Sequence, residues 1–142
     1  MVNLHIIVYY VKNMSDSSHD RLIHILNEFA KSYDKLRIYE SESCSKDELE
    51  KLLVHIRDVA GEIPSMLTIM FKENPSAIPM LQPFIQMLKP PFLQTLHLQL
   101  ILFSTTLNPD LTWVQTQVKM TIGYMNGDGW VDGIKAMRTF LR

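Results

Sequence analysis

The stretch "YMNGDGWVDGIK" (Tyr124 to Lys135) holds half of the ligand pattern of a calcium loop. Such a loop takes oxygen ligands at its first, third and fifth positions, glycine at the sixth and a bidentate glutamate at the twelfth. With Gly129 at the sixth, Asn126 and Asp128 fall at the third and fifth, but Tyr124 and Lys135 occupy the first and twelfth. Both anchoring ligands are missing. "NGDG" therefore reads as a strand-to-helix turn, made of residues that tolerate positive φ, and no metal is predicted. The histidines give no better metal pattern: His5, His19, His24, His55 and His97 include no pair four residues apart on one helix face.

Cys44 is the single cysteine, which excludes an internal disulfide and any multi-cysteine metal site. It lies just before a helix start with Lys46 nearby, an arrangement that can lower a thiol pKa. Glu40, Glu42, Asp47 and Glu48 oppose that effect, so the thiol reads as incidental. Ser104, Thr105 and Thr106 in "FSTT" offer hydroxyls, yet a nucleophile needs a positioned base and the sequence assigns none. No catalytic residue is named.

Two segments remain as candidate binding sites. In the Ser-rich loop "NMSDSSHD", Ser15, Ser17 and Ser18 could meet a phosphate at the mouth of a helix. Asp16 and Asp20 repel an anion and the loop has no glycine, so helix capping accounts for it more simply. The second segment is the Met- and Pro-rich "ENPSAIPMLQPFIQMLKPP". Its prolines forbid a regular amphipathic helix and it crowds Met80, Phe84, Ile85, Met87 and Leu88 together. Methionine suits surfaces that repack against partners, so these five form a candidate interface with another protein or a second copy.

Composition narrows the partners. The formal net charge is -1 and the sequence pI about 6.5, giving no global attraction to nucleic acid or to acidic membranes. The N-terminal apolar run has no basic start and no cleavage site, so it reads as a buried strand rather than a signal peptide. No run approaches the ~20 apolar residues of a membrane-spanning helix. A soluble cytoplasmic protein is expected.

The elements that would position these residues alternate. Strands are predicted at Leu4 to Val11, across "KLRIYES", at Ser65 to Phe71, at Leu96 to Phe103 and across "QVKMTIGY". Helices are predicted after Ser17, from Ser45 to Gly61 with Ser45 and Glu48 as a capping box, in broken form before Pro90 and Pro91, and from about Trp130 to Leu141. That order implies one domain over 1–142, a three-layer αβα sandwich on a five-stranded, mainly parallel sheet. The strand order 2-1-3-4-5 is flavodoxin-like. Flavodoxin-like proteins hold the FMN phosphate in the first strand–helix loop, so the alternative cofactor, where none is the first expectation, is FMN. Ser15, Ser17 and Ser18 would then face phosphate, with Thr105, Tyr124 and Trp130 near the ring.

Residues 4–71 also resemble the thioredoxin-like fold. "IIVYYVKNMSDSSHDRLIHILNEFAKSYDKLRIYES" is similar to that family's central strand, active-site loop, long helix and edge strand, and "EIPSMLTIMF" to its strand preceded by a cis-proline. The resemblance makes Pro64 that proline. Ser15 and Ser18 stand where the redox cysteine pair belongs. Without a thiolate there is no disulfide exchange, so the resemblance implies a redox-inactive variant kept for binding. The leading functional expectation is a non-catalytic interaction or adaptor module, with self-association as one form; FMN binding is the alternative.

Overall fold

In the computed structural model, which describes residues 4–142 with side chains from Ser18 onward, the chain forms helices and no strand among those residues. They are α1 (Leu4–Ser41), α2 (Lys46–Glu73), α3 (Ala77–Ile85), α4 (Pro90–Thr105), α5 (Leu111–Gly127) and α6 (Trp130–Leu141). This overturns the αβα sandwich, the flavodoxin-like strand order and the thioredoxin-like segment together. Every predicted strand lies inside a helix: the first two in α1, the third in α2, the fourth in α4 and the fifth in α5. Short apolar runs fit a buried helix as well as a strand, and in α2, α4 and α5 the burial of one helix face goes with the helical form. Pro64, expected as a cis-proline before a strand, is inside α2, and no cis peptide occurs among the described residues.

The start of α2 is a local sequence effect. The Ser45 hydroxyl accepts the Glu48 N–H at 3.1 Å, while Asp47 and Glu48 put negative charge where the helix dipole favours it. The helix then runs through the expected stop at Gly61 and through Pro64. Its buried residues Leu49, Leu52, Leu53, Ile56, Val59, Ala60, Ile63, Met66, Leu67 and Met70 keep three- and four-residue spacing across both. Gly61 and Pro64 stand on the exposed side, off that stripe. The packed stripe outweighs the two breakers.

α1 and α2 form the main antiparallel pair. At one end the Ser18 hydroxyl donates to the Glu73 carboxylate at 2.6 Å. At the other, Lys46 Nζ donates to the Thr106 carbonyl at 2.8 Å, tying the start of α2 to the end of α4. Gln115 Nε2 of α5 donates to the Tyr39 carbonyl at 3.1 Å and also to that of Glu40, near the end of α1. α4 packs on α2 and α5, α6 packs on α1 and α5, and α3 closes over α6.

The "NGDG" turn joins two helices rather than a strand and a helix. Gly129 has φ +81, and a Cβ there would approach the Met87 carbonyl oxygen to 3.2 Å. One turn on, a Cβ at Gly133 would meet Met87 Cβ at 3.0 Å and Leu88 Cδ2 at 3.2 Å. Two glycines thus let the segment after α3 lie close on α6. Trp130, between them, stacks on Phe29 with ring centroids 5.8 Å apart and tilts against Phe92 at 5.2 Å. Among the described residues no helix is long and apolar enough to cross a membrane.

The glycines yield opposite expectations in urea denaturation. Gly61→Ala stabilises by about 0.5–1 kcal/mol, because its Cβ enters open space in a helix interior. Gly133→Ala destabilises by roughly 1 kcal/mol, because Met87 Cβ is held by its own backbone and cannot swing away. Equal shifts in the two variants would contradict the close packing of 87–88 on α6.

Candidate functional site

The residues proposed for a phosphate and a flavin ring do not converge. Ser18 is buried on α1 and bonded to Glu73 at the end of α2. Ser15 and Ser17 fall in α1, but their side chains lie outside the described residues. Thr105 ends α4, next to the Thr106 carbonyl held by Lys46 at the start of α2. Ser18 and Thr105 therefore mark opposite ends of α2, whose 28 residues span about 40 Å. The Thr105 hydroxyl donates to the Leu102 carbonyl of its own helix at 3.0 Å. Tyr124 is half-buried against the core. Trp130 is fully buried, and its indole N–H donates to the Lys89 carbonyl at 2.7 Å.

A charged groove runs between α1 and α2, about 370 Å³ in volume and open to solvent, beside Glu28, Lys31, Lys35, Lys51 and His55. Glu28 lies 3.5 Å from Lys31 and 3.6 Å from His55. Ser32 also borders it, but its hydroxyl is spent on the Glu28 carbonyl at 2.8 Å. The groove offers exposed ion pairs of small energetic worth and no nucleophile joined to a base. At the former calcium candidate, Asn126 Oδ1 accepts the Tyr33 hydroxyl at 3.2 Å. Among the described residues no three His, Cys, Asp or Glu side chains gather into a metal site.

The five candidate interface residues split. Phe84, Ile85 and Leu88 are partly buried against the core, Phe84 lying 5.2 Å from Phe140 of α6. Met80 and Met87 are 55% and 40% exposed. Part of the segment is packing and part is free surface.

A second apolar surface is invisible as such in the sequence, because the apolar run Leu96 to Phe103 patterns as a strand. α4 buries Phe92, Leu96, Gln99, Leu100 and Phe103 toward α2 and α5. Its other side exposes Leu98 at 66%, with Ile101 and Leu102 each at 48%. Across the α4–α5 contact, Trp113 meets Phe103 edge-on at 4.8 Å. Met120, seven residues further along α5, lies on that same side of its helix and is exposed. These four residues make one apolar surface beside the α4–α5 seam. A sequence signal for it exists in charge rather than periodicity. Between Glu73 and Asp110 the only Asp, Glu, Lys or Arg is Lys89, although 20% of the whole chain is charged. His97 is the one titratable side chain in α4.

Compared with known proteins, the chain matches no family model, no curated protein and no solved structure.

Cys44, just before the Ser45 cap of α2, is buried. Burial, and secondarily the Glu48 carboxylate, push its thiol above the ordinary range. The folded protein holds this proton more tightly than the unfolded chain. Its contribution to stability is thus full below the unfolded thiol range, near pH ~8.5, and is lost as pH rises through the folded value. Alkylation by iodoacetamide should show a native midpoint above that of the urea-unfolded chain, and Glu48→Gln should lower it. A native midpoint at or below the unfolded one would contradict the burial.

Proposed function

We propose that this chain is a non-catalytic protein-interaction module that docks through the outer side of α4 and the adjoining Met120 of α5. The observation that carries this reading is the long segment between Glu73 and Asp110 with one charged residue, in which Leu98, Ile101 and Leu102 remain exposed after folding. A surface helix normally places charge opposite its buried stripe. α4 instead places Leu98, Ile101 and Leu102 there. Interface centres are depleted in charge and enriched in methionine and aromatic groups, which suits exposed Met120 and half-buried Trp113 on α5.

Apolar side chains left in water gain roughly 25 cal/mol for each Å² that a partner covers. The four residues of the α4–α5 surface thus supply a driving force for docking without any change in the fold. The charged residues of α1 and α2 keep the remaining surface hydrated, and the absence of charge on α4 removes the desolvation cost that would oppose contact there.

The test is site-specific photo-crosslinking in the cells that express the protein. A benzophenone amino acid at Leu98 or Ile101 should give a discrete adduct, while the same group at Lys31, in the charged groove, should not. Absence of any adduct from both α4 positions, or an equal pattern from Lys31, would overturn the proposed surface.

A further inference from the structure

We infer that the partner of the α4 surface is a second copy of this chain, docked antiparallel along α4 about a two-fold axis. The inference rests on the reading of that surface as a docking site and adds the identity of its occupant. The outermost row of α4 is Gln94, Leu98, Ile101 and Thr105, all exposed and spaced by three and four residues so that they follow one helix face. In polarity the row reads the same in both directions: polar, apolar, apolar, polar. A two-fold axis uses one patch on both subunits, so residue i meets j and j meets i. With the axis between Leu98 and Ile101, Leu98 of each copy meets Ile101 of the other, and Gln94 meets Thr105. The Thr105 hydroxyl already donates within its helix, which leaves its oxygen free to accept the Gln94 amide.

Charge supports the same occupant. A foreign partner is commonly selected and steered by complementary charge, and α4 carries none. Two copies of an uncharged surface meet without like-charge repulsion, and a formal net charge of -1 adds little repulsion at longer range. Leu102 and Met120 flank the central row and widen the apolar contact. A single helix pair falls at the small end of specific interfaces, below ~1,200 Å² in total. The dimer is therefore reversible and forms as concentration rises.

Sedimentation equilibrium on the full chain, from low micromolar to near-millimolar concentration, tests this. The wild type should pass from monomer to dimer and no further. Leu98→Lys and Ile101→Glu should each weaken the dimer by about tenfold or more, with unchanged circular dichroism, and Leu98→Ser should do so without adding charge. An equimolar mixture of the Leu98→Lys and Ile101→Glu chains should recover dimer, because that pairing alone sets Lys against Glu. A wild type that stays monomeric throughout overturns the second copy as partner. If Leu98 then still crosslinks to a protein of another mass, the docking surface itself stands. A dimer untouched by the substitutions, or a mixture that does not recover, places self-association elsewhere and overturns the inference; the first of these also removes support for the α4 surface.

Discussion

The indole of Trp130 lies between Phe29 of α1 and Phe92 of α4, and its N–H is given to the Lys89 carbonyl immediately before α4 begins. One side chain thus fixes α6, α1 and the first turn of α4 in a single contact. Burying an aromatic of this size stabilises strongly, and satisfying its N–H avoids the penalty of an unpaired buried donor. The two glycines around it follow from that position. With a side chain at Gly129 or Gly133, the 87–88 segment could not lie against α6 as closely as it does. Lys89 would then stand off from the indole, and the orientation of α4 would lose its anchor.

Once α4 is anchored, its lack of charge takes on meaning. Contact with α2 and α5 explains why Phe92, Leu96, Leu100 and Phe103 are apolar. It does not explain Leu98, Ile101 and Leu102, which point away from both neighbours. Folding alone would tolerate glutamate or lysine at any of the three, and α1 and α2 carry such residues freely on their outer sides. The surface and the core of α4 therefore answer to different requirements, and only the second is met inside the monomer.

How much of this was legible in sequence differs from element to element. The α2 start was written in Ser45 and Glu48, and the α6 span in the turn that precedes Trp130. The continuity of α2 was hidden by Gly61 and Pro64, local breakers that a packed stripe overrides. α5 misled for another reason. Val118, Met120, Ile122 and Tyr124 alternate like a strand, whereas the buried side of the helix is Val114, Gln117, Val118, Thr121, Ile122 and Met125. Two polar residues in that stripe erase its helical period from a hydrophobicity pattern. The candidate site suffered likewise: Met80 and Met87 were legible as interface candidates, but Leu98 and Ile101 could be seen as exposed only after α4 was known to be a helix.

Those same polar residues determine what α4 displays. Gln99 Nε2 donates to Gln117 Oε1 at 3.1 Å, and the single Thr121 hydroxyl proton is shared between Gln99 Oε1 at 3.0 Å and the Gln117 carbonyl at 2.8 Å. No buried side-chain nitrogen or oxygen among the described residues lacks a partner. An apolar α4–α5 seam could slide by one turn and exchange leucine for phenylalanine at modest cost. Sliding this one would strand polar groups of Gln99, Gln117 and Thr121 away from water, at about 1–3 kcal/mol for each unsatisfied group. The trio therefore holds α4 in one rotation and one register against α5. That constraint keeps Gln99 facing inward and, by helix geometry, Leu98 and Ile101 facing outward. The feature that concealed the helix in the sequence is the feature that fixes its exposed side.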